Sequence, residues 1–183
     1  ATPAEQEVLA RYSGWGGMPQ AFDNKNKKWS NQYSEVKSLL TQEEYEAAKG
    51  STLNAHYTDV GIIKGMYDGL LRMGFEGGKI LDPSTGTGRF IGVLPSKLGH
   101  SKVTAVELDS LTARIAKQLY PKAAVHNKGF EEVAMPDNFF DLAISNVPFG
   151  SYKLHDPKYN KHNFLIHDYF FAKSLDKVKP GGV

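Results

Sequence analysis

The distribution of apolar residues divides most of the chain into short strands and amphipathic helices. Four short apolar runs bounded by polar or turn-forming residues comprise residues 80–81, 103–106, 123–125 and 140–144. Stretches in which apolar residues recur at helical spacing comprise residues 59–73, 90–98, 110–120 and 164–178. This alternation predicts an α/β fold, with a Rossmann-like, doubly wound and mostly parallel sheet.

Each helical stretch has an apolar side that we expect to pack on the sheet. In the first stretch, for which Thr58 or Asp59 is the predicted N-cap, this side comprises Val60, Ile63, Met66, Tyr67, Leu70 and Leu71. In residues 110–120 it comprises Leu111, Ile115 and Leu119. In residues 164–178 the side chains predicted to turn inward are Ile166, Tyr169, Phe170 and Leu175.

The first 53 residues are predicted to form an N-terminal helical extension, followed by a core of residues 54–183. Thr2 and Thr41 are each followed by a glutamate three residues later, and this capping-box pattern predicts two helix starts. Residues 25–31 are polar and are predicted to be irregular. The aromatic residues of the extension are interpreted as apolar contacts with the core, with base stacking as the alternative. They are Tyr12, Trp15, Phe22 and Trp29.

A glycine-rich turn follows the first predicted strand, at the edge of a parallel sheet where ligands bind. Gly86 and Gly88 carry no side chain, so the backbone can approach a ligand closely. Glu107 ends the second strand about 20 residues later, where a carboxylate binds the two hydroxyls of a ribose. The spacing therefore predicts a cofactor that contains a nucleoside.

The residues around this turn favour S-adenosylmethionine over a dinucleotide. A dinucleotide fingerprint requires a small residue at the position of Ile91, and the chain contains no Gly-Lys-Ser/Thr phosphate-binding sequence. Asp82 places a negative charge where a pyrophosphate would be repelled. S-adenosylmethionine instead carries an ammonium and a sulfonium, and an acidic turn suits these positive groups.

The fourth strand is followed by Asn146, Val147, Pro148 and Phe149, which suit the binding of an exocyclic amine. The side-chain oxygen of Asn146 and the carbonyl of Val147 can accept hydrogen bonds from both amine hydrogens, which localises the nitrogen lone pair. Phe149 can stack on the ring that carries the amine. A plain turn is the alternative interpretation of the isolated tetrapeptide, but its place at a strand end favours a methyl-acceptor site.

Composition restricts the class of protein without identifying a partner. The 183 residues are 40% hydrophobic, which is enough for one core and a flanking piece. The absence of cysteine excludes disulfides and thiolate metal sites, and it is typical of a cytoplasmic protein. His56 has no histidine or cysteine near it in the sequence that could join it as a metal ligand, so no metal site is predicted. No apolar run approaches the roughly 20 residues of a membrane span, and a net charge of +2 does not by itself indicate nucleic-acid binding. A Pro-Gly-Gly turn at residues 180–182 predicts a further strand, so we expect a larger protein.

Taken together, these motifs resemble the class I, S-adenosylmethionine-dependent N6-adenine DNA methyltransferases. The matching motifs are Asn54-Ala55-His56-Tyr57-Thr58, Asp82-Pro83-x-x-Gly86-x-Gly88-x-Phe90, Glu107, Phe130 and Asn146-Val147-Pro148-Phe149. Two further motifs are similar to the methylase domain of large methylase–helicase proteins of plasmids and conjugative elements. They are Tyr12-Ser13-Gly14-Trp15-Gly16-Gly17 and Glu43-Glu44-Tyr45. The resemblance covers nearly the whole chain, and it implies double-stranded DNA with a flipped adenine as substrate and fusion to helicase-like domains.

The resemblance also implies a role for each residue of the site. The implied cofactor-binding residues are Tyr57, Thr58, Asp82, Pro83, Gly86, Gly88, Phe90, Glu107, Leu108 and Phe130. Among them, Tyr57 and Thr58 would contact the methionine end, and Asp82 would face its ammonium. Phe130 would cover the cofactor adenine. The residues implied to hold the target base are Asn146, Val147, Pro148 and Phe149.

The chain departs from the family pattern at two positions. Val147 stands where the family has a second proline, so the carbonyl is kept but the stiffness of that proline is lost. Gly129 stands where many members have an aspartate that binds the amine of the cofactor adenine, and Glu131 is the predicted substitute.

The residues after the Asn146 motif form a long basic loop, 151–163, that lacks periodicity. Lys153, Lys158 and Lys161 are predicted to contact phosphates, with a solvated loop as the alternative. Three functions therefore stay open at this point: methylation of adenine N6 in DNA, methylation of a protein glutamine or an RNA adenine, and a cofactor-binding or DNA-docking module without catalysis.

Overall fold

A computed structural model describes residues 1–52 and 57–183. The remaining residues, 53–56, contain the predicted boundary between extension and core and the Asn54-Ala55-His56 part of the first motif. Those predictions therefore lie outside the described residues.

A four-stranded parallel sheet forms the centre of the fold. Its strands are β1 (Lys79–Asp82), β2 (Lys102–Glu107), β3 (Ala124–Asn127) and β4 (Leu142–Ala143), in the order β3-β2-β1-β4. Ile80 of β1 is in register with Val103 of β2 on one side and with Leu142 of β4 on the other. The strands β2 and β3 therefore lie on one side of β1 and β4 on the other, and ligands of such sheets bind where the strand order reverses. The predicted α/β fold with a parallel sheet is confirmed.

Within the described residues, helices lie on both faces of this sheet, and further helices belong to the N-terminal part of the chain. They are α1 (Pro3–Ala10), α2 (Ser30–Leu39), α3 (Gln42–Ser51), α4 (Val60–Arg72), α5 (Arg89–Gly92), α6 (Ser110–Leu119) and α7 (Ile166–Lys177). Short 3-10 turns occur at Pro19–Phe22, Lys27–Trp29, Ser96–Leu98, Phe130–Glu132 and Asn160–His162. None of the helices in the described ranges combines the length and the apolar character that a membrane span needs.

Adjacent residues of β1 face opposite sides of the sheet, and each side has its own apolar cluster. Ile80 packs with Ile63 and Tyr67 of α4. Leu81 belongs to the other cluster, with Tyr169 and Phe170 of α7. Burying one such large apolar side chain contributes about 1.5–3 kcal/mol, so both helices are held firmly against the sheet.

The amphipathic helix before β1 begins as predicted. The side chain of Asp59 accepts a hydrogen bond from the backbone N–H of Gly61 at 2.7 Å, which makes Asp59 the N-cap. Ile63, Tyr67 and Leu70 are buried, whereas Val60 and Met66 of the predicted face remain 39% exposed. The inward side of α4 is therefore narrower than the sequence pattern indicated.

Two other predictions of secondary structure and one prediction of burial were wrong. Residues 90–98 do not form one helix: α5 ends at Gly92, and Pro95 keeps the following residues from continuing it. Residues 25–31 are not irregular throughout, because the Asn26 side chain accepts a hydrogen bond from the Lys28 N–H, and a 3-10 turn leads directly into α2. In α7, Leu175 is 72% exposed, and Lys173 and Lys177 are buried instead.

The N-terminal residues form a layer with its own small core. Trp15 and Phe22 meet edge to face at 5.3 Å, and Tyr45 of α3 packs on Phe22. The aromatic residues Trp15, Phe22 and Trp29 therefore pack within the extension rather than against the sheet. The layer contacts the core through α6, where Glu44 forms a 2.7 Å ion pair with Arg114.

Candidate active site

A cavity of about 550 Å³ opens at the carboxyl ends of β1, β2 and β4. The predicted site residues that line it are Tyr57, Thr58, Pro83, Gly86, Phe90, Glu107, Leu108, Phe130, Asn146 and Pro148. They come from separate parts of the sequence, and the parallel sheet brings them to one edge. The structure therefore places eight of the ten predicted cofactor residues and two of the four predicted target-base residues around a single cavity.

Four of the predicted cofactor and target-base residues do not line this cavity. Asp82 is fully buried at the end of β1, beneath the glycine turn, and Gly88 lies under the ring of Tyr120. Val147 points into the apolar cluster of α7. Phe149 is 64% exposed outside the cavity, where its ring lies 5.8 Å from that of His167.

Glu107 ties the glycine turn to the end of β2. Its Oε2 accepts a hydrogen bond from the Gly86 N–H at 2.9 Å, and its Oε1 accepts one from the Asp109 N–H at 2.8 Å. Each oxygen retains a further lone pair. The carboxylate is thus fixed at the cavity wall, with acceptor capacity left for two hydroxyls of a ligand.

Burial raises the pKa of Glu107 to about 7, although the hydrogen bonds from Asp109 and Gly86 oppose this shift. The negative charges of Asp109 and Asp82 raise it further. The carboxyl group therefore titrates in the physiological range.

Asp82 links the ends of β1 and β4. The Ser145 hydroxyl donates a 2.7 Å hydrogen bond to its Oδ1, whereas its Oδ2 has no hydrogen-bond partner within residues 1–52 and 57–183. Burial raises the pKa of Asp82 to about 6, and the hydrogen bond from Ser145 offsets only part of that effect. A positive group above the turn would relieve this desolvated carboxyl group.

The glycine turn requires its glycine at position 86. Gly86 has φ 57°, and a Cβ there would lie 3.0 Å from the Tyr57 ring. Arg89 holds that ring from the other direction, with its guanidinium carbon 4.8 Å from the ring centroid and a 3.1 Å hydrogen bond to the Thr58 carbonyl. Tyr57, Arg89 and the turn therefore form one packed unit at the cavity.

Comparison with known sequences agrees with this geometry. The sequence model of a family described as "Methyltransferase domain" matches residues 81–158. Over 153 residues, or 81% of the chain, the sequence is 33% identical to the Defense against restriction protein B of Escherichia phage P1, and the match spans 7% of that protein. Over 110 residues, or 56% of the chain, it is 29% identical to the tRNA1(Val) (adenine(37)-N6)-methyltransferase of Pedobacter heparinus, of which 47% is matched. The chain thus spans less than half the length of both relatives.

The fold is shared with a solved structure from Listeria monocytogenes that is assigned to the class I S-adenosylmethionine-dependent methyltransferases. The superposition has a TM-score of 0.52 at 16% sequence identity, and it covers 97% of this chain and 68% of the other. The chain has the class I methyltransferase fold. The cofactor of this fold and of the matched family is S-adenosyl-L-methionine, in agreement with the prediction from the glycine turn and Glu107.

The cavity of this methyltransferase fold fits S-adenosylmethionine in its chemistry. The fixed carboxylate of Glu107 suits the ribose hydroxyls, and Asp82, although it does not line the cavity, places a negative charge beneath the turn that favours an ammonium above it. The Thr58 hydroxyl oxygen is buried without a hydrogen-bond partner in the described part of the chain, which leaves it for a ligand. Arg89, which sequence reasoning did not select, adds a positive group that suits the carboxylate of the methionine end.

Glu131 lies close to Gly129, the position at which the chain departs from the methyltransferase pattern. Both residues line the cavity, and the Glu131 carboxyl carbon is 2.6 Å from the place that a Cβ at Gly129 would take. The carboxylate of Glu131 thus fills the space of the absent side chain. That Glu131 binds the amine of the cofactor adenine in place of the family's aspartate stays a prediction.

The N-terminal layer contributes part of the cavity wall, which the sequence did not indicate. The residues that contribute are Gly14, Ala47, Gly50 and Ser51. Gly14 packs on the same Tyr57 ring that borders the glycine turn, and a Cβ at this residue would lie 2.6 Å from a ring carbon. These residues are small and uncharged, so their side chains do not indicate a binding site. Only the family-like motif around Gly14 could have pointed to this part of the chain.

A pair of glycine substitutions tests the geometry of the turn. We expect Gly86→Ala to lower the free energy of unfolding by about 1–2 kcal/mol, because a left-handed conformation costs a residue with a Cβ that much. The clash with Tyr57 adds to the cost. Gly69→Ala is the matched control: Gly69 lies within α4 with nothing near its Cβ position, so alanine should stabilise by about 0.5–1 kcal/mol. Urea denaturation measures both changes, and equal effects of the two variants would contradict the assignment.

Proposed function

We propose that the protein transfers a methyl group from S-adenosylmethionine to the N6 amine of adenine in DNA. The observation that carries the proposal is the position of Asn146. It follows β4 and lines the same cavity as Glu107, the last residue of β2, and the glycine turn, which follows β1. The residue suited to an exocyclic amine is therefore next to the residues suited to the methyl donor.

The described residues support a division of labour across the cavity. Glu107 and Asp82 lie on the cofactor side, and S-adenosylmethionine bound there supplies an electrophilic methyl group. Asn146 and Pro148 border the opposite side. Asn146 accepts a hydrogen bond from the amine and so orients its lone pair, which is a contribution of positioning rather than of acid–base chemistry. The ring of Phe149, exposed just outside the cavity and 5.8 Å from the His167 ring, is the aromatic group that we expect to stack on a base that leaves the duplex.

The loop after the motif supports contact with a nucleic-acid backbone. Lys153, Lys158 and Lys161 are all exposed. Lys158 forms ion pairs with Asp137 at 2.9 Å and with Asp176 at 2.7 Å. A phosphate would have to compete with these carboxylates at Lys158, so we expect Lys153 and Lys161 to contribute more to binding.

Adenine in RNA is the second candidate acceptor. The relative from Pedobacter heparinus is by its name a tRNA adenine-N6 methyltransferase. DNA is favoured because the relative that matches more of this chain, at higher identity, is by its name a phage protein of defence against restriction, a process directed at DNA.

The test measures transfer of a labelled methyl group by the intact protein to duplex DNA, RNA and a glutamine-containing protein. We expect label in DNA, recovered after hydrolysis as N6-methyldeoxyadenosine. Duplexes in which every adenine already carries an N6 methyl group are the control and should accept little label. Calorimetry with S-adenosylhomocysteine is run in parallel.

Each alternative has its own signature in this test. Label in RNA adenine or in glutamine would replace DNA by that acceptor. Binding of S-adenosylhomocysteine without transfer to any polymer would indicate a module without catalysis. Absence of cofactor binding would contradict the proposed function at its first step.

A further inference from the structure

Helix α7 contains two buried lysines, which is unusual for a surface helix. The side chains of Lys173 and Lys177 are only 5% and 8% exposed. Each donates hydrogen bonds to a backbone carbonyl and to an aspartate. Their local arrangements are therefore similar, but they join α7 to different parts of the molecule.

Lys173 joins the two sides of the active-site cavity. Its ammonium donates to the carbonyls of Phe130 at 2.8 Å and Glu131 at 3.3 Å, and both of these residues line the cavity on the cofactor side. It also donates to Asp156 Oδ2 at 3.1 Å. Asp156 belongs to the loop that follows the Asn146 motif, and Tyr152 and Leu154 of that loop also line the cavity.

Asp156 is the residue around which this loop folds. Its Oδ2 accepts a 2.7 Å hydrogen bond from the Tyr169 hydroxyl, and its Oδ1 accepts one from the Lys158 N–H at 3.1 Å. Its backbone carbonyl accepts from the N–H groups of Tyr159 and Asn160, both at 2.9 Å. A buried carboxylate that organises a turn in this way depends on its cationic partner to remain charged.

We propose that Lys173 is a positioning residue that couples occupancy of the cofactor side of the cavity to the order of the substrate-side loop, residues 152–160. A ligand against Phe130 and Glu131 restrains the carbonyls that hold the Lys173 ammonium. The restrained ammonium in turn holds Asp156, and with it the turn that follows Leu154. The inference rests on the proposed function for the identity of the ligand, but the coupling itself is a property of the lysine and its three acceptors.

Lys177 provides the matched control within the same helix. It donates to the Met135 carbonyl at 2.8 Å and to Asp137 Oδ1 at 2.6 Å, and none of these three residues lines the cavity. It is buried to a similar degree. Loss of either lysine removes a buried ammonium from an ion pair, although the Asp137 side chain is 47% exposed and that of Asp156 only 10%. Only loss of Lys173 disconnects the two cavity walls.

The experiment compares the double variant Lys173→Met with Asp156→Asn and the single variant Lys177→Met, in the intact protein. Asp137 is left unchanged because it also forms a 2.9 Å ion pair with Lys158 of the substrate-side loop. The double variant removes both charges of the buried pair. Lys177→Met leaves only Asp137, whose side chain is 47% exposed and still paired with Lys158, so neither variant leaves an uncompensated buried charge. Backbone hydrogen exchange is followed with and without S-adenosylhomocysteine. In the wild type we expect the ligand to slow exchange in residues 128–132 and also in residues 152–160. In the Lys173 variant only the first effect should remain, whereas the Lys177 variant should show both.

Steady-state kinetics provide a second readout. We expect the Lys173 variant to raise KM for the nucleic-acid substrate about tenfold, which corresponds to a loss of about 1.4 kcal/mol of binding free energy. The Kd of S-adenosylhomocysteine should change less than about threefold. Protection of residues 152–160 that persists in the Lys173 variant would overturn the coupling. If that variant does not fold, the wild type decides alone: ligand protection confined to residues 128–132 would also overturn it. No binding of S-adenosylhomocysteine to the wild type would instead contradict the proposed function.

Discussion

Asn146→Ala is expected to lower kcat for methyl transfer by about 10²- to 10³-fold, the size of effect seen when one well-placed polar group is removed from an active site. Asn146 lies on the β4 side of the cavity, and the groups that suit the cofactor belong to β1 and β2. The Kd of S-adenosylhomocysteine should therefore change less than about threefold, because an interaction with the acceptor amine contributes to the reaction and not to cofactor binding.

Two measurements separate this result from a general loss of structure. Single-turnover kinetics with labelled S-adenosylmethionine give the transfer rate, and calorimetry gives the affinity for the demethylated cofactor. Asn31→Ala is the control, since Asn31 is exposed in α2 and away from the cavity. An Asn146→Ala protein that transfers methyl groups at the wild-type rate would refute the role of Asn146. Equal losses of affinity and rate would place Asn146 on the cofactor side instead.

Glu107→Gln is expected to weaken binding of S-adenosylhomocysteine by about 10- to 100-fold, since a hydrogen bond to a charged group contributes about 1.5–3 kcal/mol. The carboxylate accepts from two backbone N–H groups, those of Gly86 and Asp109. A glutamine amide has only one acceptor oxygen, so its NH₂ group would face one of these donors. The variant therefore loses the ligand contact and loosens the turn. Glu132→Gln, an exposed carboxylate outside the cavity wall, is the control and should bind as the wild type does.

The raised pKa of Glu107 makes cofactor affinity depend on pH. In the free protein this pKa is about 7, and the ionised form is the one that accepts hydroxyl hydrogen bonds. Affinity is therefore full above the pKa and falls as the pH drops below it. We expect Kd to rise roughly tenfold between pH 7.5 and pH 6, because one pH unit below a pKa leaves about a tenth of the group ionised.

Calorimetry of S-adenosylhomocysteine across this range measures the dependence, and the Glu107→Gln protein should lose most of it. The small part that remains should appear nearer pH 6, where Asp82 titrates. A wild-type affinity that is constant from pH 7.5 to pH 6 would contradict the combination of a raised Glu107 pKa with a ribose contact, and the affinity of the Glu107→Gln protein then decides which of the two is wrong.

The sheet and the cofactor side of the site were predictable because their signals are local or regularly spaced. The run from Ile80 through Gly88 contains a strand and its turn in one short segment, and Glu107 ends the next strand in the sheet. In a parallel sheet, residues at carboxyl ends of strands meet at one edge whatever their separation in sequence. The same rule predicted that Asn146, which follows β4, lies at this edge of the sheet.

Residues whose positions depend on remote partners could not be predicted. The periodicity of α7 favoured Leu175 as an inward residue, but Leu175 is exposed and the lysines at 173 and 177 are buried. Their carboxylate partners, Asp156 and Asp137, lie 17 and 40 residues away along the sequence. Helical spacing contains no information about such partners, because it counts apolar side chains only.

The layer of residues before α4 changes what counts as the smallest complete unit of this molecule. The family match begins at residue 81, in β1, whereas Gly14 and residues of α3 complete the cavity wall. Protein cut back to the matched segment would retain β2, β3, β4 and the second half of β1 but would open the cofactor side to bulk water. Electrostatic contacts of Glu107 and Asp82 weaken in a high dielectric. Residence of the cofactor, and not only its recognition, is therefore a property that the N-terminal layer and the sheet share.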